Sequence, residues 1–430
     1  MPGGSNLSRP LHSTSDALSG GELPLMLQQV RDLTIRLCEP LQPEDCAIQS
    51  APETSPAKWH LAHTTWFFEN FLLEPFLPGY RLFHPGFGFL FNSYYESVGE
   101  FLPRARRGLL SRPSLEEVKA YRAHVDRHMG TLLEMPGIAN AEEIRSRTTL
   151  GIHHEQQHQE LLLTDIKHLF ASNPLKPSYC SSLRSGTRAN APLDWFHFPA
   201  GMYAFGNGSD GFAFDNEYPR HRRYLDEFSL ASRLVTNAEY CEFIAAGGYR
   251  NPALWLSDGW HKLHEARWTA PLYWEQQDAE WWHMTLTGYR RVEPSEPVCH
   301  VSYYEADAFA RWAGKRLPTE FEWEAAAESQ SSSGNFLESR QFHPQPAPAG
   351  ASQLFGDVWE WTQSAYSPYP GYRPPAGALG EYNGKFMVNQ MVLRGGSGAT
   401  PAGHMRPTYR NFYHPDKRWQ FSGLRLAADA

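Results

Sequence analysis

Two clusters of histidine could supply the ligands of one metal ion. His154 and His158 stand four residues apart in HHEQQHQE, a spacing that places both imidazoles on one face of an α-helix, one turn apart. A second cluster, His60 and His63, lies upstream in WHLAHTTWFF. Three imidazoles from two helices would hold iron or zinc and leave coordination positions open, as catalysis requires. The spacing leaves the third ligand open between His60 and His63, and the deeper position of His63 in the apolar segment favours His63.

The same string also matches the H-E-x-x-H motif of zinc proteases, with Glu155 as the general base. That motif needs a third ligand downstream. The extended form would place Gly at position 161 and His at position 164, where this chain has Leu161 and Thr164. Residues 172–193 contain no acidic residue that could replace the histidine. A zinc hydrolase is therefore the weaker alternative.

Two further segments carry residue types that could serve a metal site. Tyr94 and Tyr95 follow a loop rich in Gly and Phe. Such a pair usually packs, but a phenol that reaches a metal can donate a proton to a bound oxygen species. Arg104 and Arg107 lie in a basic segment, which could form a solvated turn or hold a carboxylate in the fork of a guanidinium group.

The first half of the chain is predicted to be helical. Apolar residues recur at helical spacing in residues 23–38, 57–74, 114–135 and 140–170. Ser114 followed by Glu117 forms a capping box, which marks a helix start. Four helices with one apolar face each predict an antiparallel four-helix bundle, in which metal sites form from inward-facing side chains. The long aromatic loop at residues 75–113 is typical of functional loops.

The composition changes after this half. Residues 173–194 are rich in Pro, Ser and Arg and are interpreted as a linker between domains at residues 1–172 and 195–430. Beyond it, the pattern predicts strands at Trp195–Phe198, Arg223–Leu230, Val298–Ser302 and Met391–Arg394, and helices at Tyr304–Ala313 and Glu320–Ala327. The sequence thus predicts a multidomain protein, an α domain followed by an α+β domain with much loop.

Composition and charge narrow the class of protein. The chain has 430 residues, more than the roughly 250–300 that one core usually holds. Its net charge of −8 argues against nucleic acid as a partner. No apolar run approaches the roughly 18 residues of a membrane span, and the N-terminus lacks the apolar core of a secretory signal. Five scattered cysteines fit reduced thiols. We therefore expect a cytoplasmic protein without a membrane partner.

Longer motifs resemble known families. The strings GKRLPTEFEWE, FGDVWEW, LRGGS and GLRLA resemble the formylglycine-generating enzyme/sulfatase-modifying domain, which implies a C-type-lectin-like fold for the second half. The first half resembles a DinB-like four-helix bundle. Both halves in this order, with WHLAHTTWFFE and HHEQQHQELLLTDIKH, resemble the iron-dependent sulfoxide synthases of ergothioneine biosynthesis. The resemblance covers about residues 25–427.

The resemblance implies a reaction and its cofactor. These enzymes use Fe(II) and O₂ to join the sulfur of cysteine or γ-glutamylcysteine to C2 of the hercynine imidazole, and they oxidise the sulfur to a sulfoxide. The family's ligands correspond to His63, His154 and His158.

The resemblance also implies roles for residues around the metal. Tyr94 and Tyr95 match tyrosines near the metal in one branch of the family, and Arg104 and Arg107 match positions that hold the carboxylate of the sulfur substrate. The residues expected to bind hercynine or the thiol elsewhere in the pocket are Gln157, Asn411, Phe412 and Tyr413.

Some residues depart from the family patterns. No cysteine follows Cys299, so the cysteine-dependent oxidase activity of formylglycine-generating enzymes is not expected. Gly398 stands where a cysteine would be expected, and Tyr413 stands where relatives often have Phe or Asp. An Asp there would suit the ammonium group of a γ-glutamyl substrate, so its absence favours free cysteine.

Two other classes of protein remain open from the sequence. A DinB-type thiol transferase with zinc or nickel would use the same three histidines and would not consume O₂. A non-catalytic binding module on a lectin-like fold would leave the histidine constellation unexplained.

Overall fold

A computed structural model describes residues 21–181, 191–208, 211–348, 350 and 352–429. The helices of its first half are α1 (Glu22–Cys38), α2 (Ala57–Phe68), α3 (Glu74–Phe76), α4 (Phe87–Phe91), α5 (Leu115–Glu134) and α6 (Ala141–Ser172). The long helices α1, α2, α5 and α6 pack as a four-helix bundle, as predicted. The π-helical turn Glu69–Leu73 joins α2 to α3. The capping box at Ser114 is present, with both of its hydrogen bonds to Glu117.

Helix α2 lies in the centre of the first half. Every residue from Ala57 to Phe68 is buried, so this helix has no solvent face and its polar side chains must find partners inside the protein. Helix α6 packs against it at Gly151, where an added Cβ would lie 2.6 Å from the Phe68 ring. The glycine therefore allows the two histidine-bearing helices to approach closely.

The second half contains short strands and short helices. Its strands are β1 (Trp195–Phe198), β2 (Gly201–Phe205), β3 (His221–Leu225), β4 (Phe228–Ala231), β5 (Trp274–Gln277), β6 (Glu280–Thr285), β7 (Gly288–Arg291), β8 (Trp359–Ala365), β9 (Met391–Arg394), β10 (Asn411–Tyr413), β11 (Ser422–Gly423) and β12 (Ala427–Asp429). They form sheets in the orders β1-β4-β12, β10-β9-β8-β11, β2-β3 and β5-β6-β7. The helices are α7 (Asn237–Ala245), α8 (Ser257–Ala266), α9 (Tyr303–Trp312) and α10 (Glu320–Ala327).

Two of the predicted strands are wrong. The segment Arg223–Leu230 is divided between β3 and β4, which belong to different sheets. The segment Val298–Ser302 forms no strand, because its backbone makes separate hydrogen bonds to Val235 and Ser422 and its last residue caps α9. The strand Met391–Arg394 and the helix Glu320–Ala327 are confirmed.

The predicted linker is partly packed against both halves. Residues 182–190 of this segment lie outside the described residues. Before them, the backbone of Tyr179 donates to the carbonyl of Leu286, and its hydroxyl donates to the carbonyl of Leu37 at 2.7 Å. Tyr179 is buried, so this part of the segment connects α1 to the second half. The proposed domain limits stay a prediction.

Helix α6 contacts the second half through side chains between His153 and Lys167. The Glu160 carboxylate accepts hydrogen bonds from Trp359 Nε1 at 2.7 Å and from the hydroxyls of Ser397 and Thr400 at 2.6 Å each. All three donors belong to the second half of the chain. Glu160 of α6 thus joins the bundle to three residues of the second half. Among the described residues, no helix has the length and apolar character to cross a bilayer.

Candidate active site

Helices α2 and α6 bring three histidines together. His63 comes from α2, and His154 and His158 come from α6. Nε2 of His63 lies 3.1 Å from Nε2 of His154, and one ring nitrogen from each of the three side chains lies within 4.8 Å of the others. Of the two candidates for the third ligand, His63 belongs to this group, whereas His60 contacts His158 from outside it; the ligand assignment stays a prediction.

Hydrogen bonds leave inward-facing nitrogens available on two of these rings. Nδ1 of His63 lies 2.6 Å from the Phe91 carbonyl, to which it must donate, so Nε2 keeps its lone pair. Nδ1 of His158 lies 2.9 Å from Nδ1 of His60, which leaves Nε2 of His158 free. Nδ1 of His154 is buried without a hydrogen-bond partner in the described part of the chain. Three imidazoles in this arrangement suit a transition metal.

Burial keeps these imidazoles neutral. It lowers the pKa of His154 to about 3, and it lowers the pKa values of His63 and His158 well below the ordinary value. The neighbouring histidines lower the pKa of His63 and His158 further. A neutral imidazole is the form that binds a metal, so the site is ready to accept a cation at neutral pH.

Glu155, the acid of the H-E-x-x-H string, points away from the three histidines. Its carboxylate accepts from Arg31 at 3.0 Å, from Thr34 at 2.6 Å and from Arg122. Burial alone would raise its pKa, but Arg122 and Arg31 lower the pKa of Glu155 to about 2. The carboxylate is a fixed counterion inside the bundle and cannot act as a base at the metal. This geometry contradicts the role that a zinc hydrolase would require.

Arg107 is a buried arginine with unused hydrogen-bonding capacity. Its guanidinium carbon lies 3.3 Å from the centre of the Trp59 ring, and Nη1 donates to the Ser55 hydroxyl at 2.9 Å. Nε and Nη2 are buried and have no partner among the described residues. A buried guanidinium with free N–H groups suits an anionic ligand such as a carboxylate. Arg104, the other predicted arginine, is exposed on the same turn.

Gln157 connects α6 to two tyrosines of the second half. Its amide nitrogen donates to the Tyr409 hydroxyl at 2.6 Å, and its amide oxygen accepts from the Tyr382 hydroxyl. The ring of Tyr382 lies 5.8 Å from the ring of His154, centre to centre. Gln157 therefore lies beside the histidine group, at the boundary between the halves. Tyr382 reaches the same place and was not predicted from the sequence.

Tyr94 and Tyr95 stack on each other at the edge of this region, 4.6 Å between ring centres. Tyr95 packs on Trp66, which in turn stacks on His63. Burial raises the pKa of Tyr94 to about 12 and the pKa of Tyr95 well above its ordinary value. Both phenols are therefore protonated at neutral pH.

Strand β10 presents the remaining predicted residues in alternation. Tyr413 packs its ring on Trp419, and burial raises its pKa. Asn411 shares the face of Tyr413, and its side-chain oxygen accepts from the backbone N–H of Phe412 at 2.8 Å. Phe412 points to the opposite face, where it stacks on Tyr366 at 4.0 Å. The contact of Phe412 is therefore one of aromatic packing.

A second group of possible ligands lies in the second half. His283, Glu296 and His343 are buried and within ligand distance of one another. Arg290, however, donates to both carboxylate oxygens of Glu296, at 2.9 and 2.8 Å. This ion pair already neutralises the only anion of the group, so we interpret it as part of the core.

Several residues around the site gave little signal in the sequence. Tyr382 and Trp419 lie more than 200 residues from the histidines that they approach, outside any motif with recognisable spacing. Asp165 lies on the face of α6 that carries His154 and His158, and this shared face is the one signal that could have pointed to it.

Comparisons with known proteins agree with the two-part structure. Residues 26–162 match the DinB superfamily. Residues 186–347 and 340–430 match the sulfatase-modifying factor enzyme 1-like domain, so the second matched family accounts for more than half of the chain.

Curated relatives match nearly the whole chain. The hercynine oxygenase of Mycolicibacterium smegmatis is 34% identical, over 94% of this chain and 97% of the relative. The hercynine oxygenase of Mycobacterium tuberculosis is 33% identical, over 95% of this chain and 99% of the relative. The formylglycine-generating enzyme of Streptomyces coelicolor is 29% identical over 54% of this chain and 88% of its own length. With similarity of this extent across both halves, the chain belongs to the hercynine oxygenase family and is an oxidoreductase.

Proposed function

We propose that this enzyme joins the sulfur of cysteine to C2 of the hercynine imidazole and oxidises that sulfur to a sulfoxide, with Fe(II) and O₂, in ergothioneine biosynthesis. The convergence of His63, His154 and His158 at the boundary between the halves carries the proposal. The kinship with hercynine oxygenases supports the substrate and the use of O₂. The balance is one thiol, one imidazole and one O₂ giving one sulfoxide and one water.

The donor set fits a ferrous ion. Three neutral imidazoles on one side of an ion leave up to three positions for substrates. Such a set also suits zinc and copper. Zinc does not change oxidation state and so does not serve an oxygenase, and iron is proposed over copper because the family resemblance implies it. Bound there, Fe(II) would supply the redox chemistry with O₂ and favour the thiolate form of the sulfur substrate.

Arg107 is proposed to hold the carboxylate of the thiol substrate. Its Nε and Nη2 are buried and have no hydrogen-bond partner among the residues that the structure describes, so a carboxylate could accept two hydrogen bonds there without displacing one of them. Trp59 lies between this guanidinium and His63, on which it stacks at 4.5 Å. The Trp59 ring therefore contacts both the proposed carboxylate site at Arg107 and the proposed metal ligand His63. Arg104 is proposed as an outer contact on the same turn.

Gln157 and Asn411 are proposed to bind hercynine. Gln157 is held by Tyr382 and Tyr409 beside His154, where its amide could exchange one of these bonds for an imidazole nitrogen. Orienting the imidazole next to the thiol removes most of the entropy cost of a ternary encounter.

The phenols are proposed to supply protons. Tyr94, Tyr95 and Tyr382 all have raised pKa values because they are buried. Each keeps its proton at neutral pH and can donate it or a hydrogen bond to a reduced oxygen atom.

Free cysteine is the proposed sulfur donor. A γ-glutamyl substrate carries an additional ammonium group, which an acidic side chain would pair with. Tyr413 is a neutral phenol at neutral pH, because burial raises its pKa, and offers such an ammonium no charge.

The reaction can be tested with the purified protein after it has been loaded with Fe(II) under anaerobic conditions. Hercynine is supplied with either cysteine or γ-glutamylcysteine, O₂ uptake is followed with an electrode, and the sulfoxide is measured by mass spectrometry. We expect one O₂ consumed for each sulfoxide, faster turnover with cysteine, and no product with zinc.

Matched variants connect the reaction to the site. His154→Ala is expected to lose metal and activity, and His124→Ala, on the far helix α5, is expected to keep both. Product formation without O₂ uptake, or with zinc alone, would instead indicate a thiol transferase. Full turnover by His154→Ala would refute the ligand assignment.

A further inference from the structure

Asp165 is held by donors from three parts of the chain. Its Oδ2 accepts from the backbone N–H of Ser55 at 2.8 Å and lies 3.1 Å from Nε2 of His60. Its Oδ1 accepts from Nε1 of Trp419 at 3.2 Å. A carboxylate can only accept hydrogen bonds, so Nε2 of His60 carries the proton in this contact.

This contact determines how His60 meets the proposed metal ligand. When Nε2 of neutral His60 is protonated, its Nδ1 is an acceptor. That Nδ1 lies 2.9 Å from Nδ1 of His158, so His158 must donate from Nδ1. The remaining nitrogen of His158, Nε2, then keeps its lone pair. The hydrogen-bond chain from Asp165 through His60 thus selects one tautomer of His158 and fixes its ring.

We propose that His60 and Asp165 are positioning residues for the metal ligand His158, and that Trp419 makes their position depend on the second half of the chain. The inference rests on the proposed function only for the metal site itself. Residues that orient a metal-bound histidine in this way typically change metal affinity about 10- to 100-fold when they are removed. Trp419 is the donor from the second half, so docking of the two halves fixes the metal ligand.

The same chain also reaches the proposed thiol site. The backbone N–H of Ser55 donates to Asp165, and its hydroxyl accepts from Arg107 at 2.9 Å. Asp165 and Arg107 are thus fixed through one residue. If a substrate carboxylate moves Arg107, the displacement would reach the proposed metal ligand His158 through three hydrogen-bonded residues: Ser55, Asp165 and His60.

The test measures binding of Co(II), used alone as a spectroscopic probe, to the full chain. His60→Phe keeps the ring volume and removes the acceptor, so we expect about 10- to 100-fold weaker Co(II) binding and a changed visible spectrum. His60→Asn offers a short acceptor and is expected to recover part of the affinity. His124→Phe, a histidine replaced outside the site, is the matched control and should bind like the wild type.

A second variant separates positioning from folding. Trp419→Phe keeps an aromatic ring at a half-buried position and removes the hydrogen bond to Asp165, with an expected several-fold loss of Co(II) affinity. Thermal unfolding of the metal-free variants should stay close to that of the wild type.

Two results have distinct meanings. If both His60→Phe and Trp419→Phe bind Co(II) with the affinity and spectrum of the wild type, the inference is overturned, and the proposed function is not affected. Wild-type affinity in His154→Ala would instead overturn the metal site, and with it the proposed function.

Discussion

At the scale of single residues, His154 and Glu155 show how neighbours in the sequence serve different purposes. His154 points toward His63, and the Nε2 atoms of the two rings lie 3.1 Å apart. Glu155, rotated by about 100° on the same helix, forms an ion pair with Arg31 and Arg122 inside the bundle. The string that resembles a protease motif thus consists of one proposed metal ligand followed by one buried counterion.

Replacing Glu155 by Gln should destabilise the fold. It deprives the buried Arg122 of its ion-pair partner and leaves Arg31 paired with Asp126 alone, so we expect a loss of about 3–5 kcal/mol in the free energy of unfolding. Urea unfolding of the metal-free protein measures this. Glu116→Gln is the control, since its pair with Lys119 is exposed and should contribute about 0–1 kcal/mol. Equal free energies of unfolding for the two variants would contradict the role of Glu155 as a buried counterion.

Arg107→Ala should weaken binding of the thiol substrate selectively. Loss of charged hydrogen bonds of about 1.5–3 kcal/mol corresponds to a rise of about 10- to 100-fold in the KM for cysteine, with the KM for hercynine nearly unchanged. Arg106→Ala, an exposed neighbour, is the control, and Arg104→Ala should lie between the two. Steady-state kinetics with one substrate saturating separates the constants, and an equal rise for both substrates would argue against the role.

At the scale of elements, the close approach of α2 and α6 sets the distance between the histidines. Gly151→Ala would push a methyl group against the Phe68 ring. We expect a net destabilisation of about 1–3 kcal/mol together with weaker Co(II) binding, because α6 must move away from His63.

Gly130→Ala on α5 is the matched control for this prediction. No atom lies within 4 Å of the added Cβ, so this variant should gain about 0.5–1 kcal/mol from helix propensity. Thermal unfolding and Co(II) titration of both variants measure the contrast. Tight metal binding by Gly151→Ala would show that helix spacing does not control the site.

The elements of the first half were predictable because their signals are local. Helix α5 begins at Leu115 directly after the Ser114 cap, and α6 spans the predicted segment to within two residues. The second half depends on pairing between distant segments, which composition does not reveal. The segment Val298–Ser302 has the composition of a strand, but its backbone makes isolated hydrogen bonds to Val235 and Ser422 instead of pairing along a strand. Helices α7 and α8 were missed, although α7 starts at a capping box on Thr236.

The same distinction applies to the candidate site. His154 and His158 could be paired from spacing alone, because they lie one turn apart on a helix, whereas spacing left the third histidine open between His60 and His63. Tyr382 could not be found in this way, since its position depends on the folding of a loop in the other half of the chain.

At the scale of the whole molecule, a second contact joins the halves near the tyrosines. Glu381 accepts from the backbone N–H groups of Glu96 and Ser97 at 3.0 Å each and pairs with Lys385 at 2.7 Å. Lys385 also donates to the carbonyl of Tyr94. The loop that carries Tyr382 is thereby fastened to the loop that carries Tyr94.

This contact should respond to acid. Burial alone would raise the pKa of Glu381, but hydrogen bonds from Lys385 and Ser97 lower it to about 2. Because the folded pKa is depressed, the stabilisation is complete above the ordinary value of 4.5 and is lost as the pH falls toward about 2. The difference in melting temperature between the wild type and Glu381→Gln should therefore shrink over that range. A difference that is constant from pH 7 to pH 2 would contradict it.

Different sides of helix α6 carry two proposed metal ligands, a counterion for the bundle and the contacts with the second half. Inserting or deleting a single residue between His158 and Glu160 would turn everything beyond it by about 100°. If His154 and His158 still faced His63, the Glu160 carboxylate would then point away from its partners in the second half. The number of residues between His158 and Glu160 is therefore fixed by the fold. A chimera that combines either half with the other half of a relative must keep this spacing.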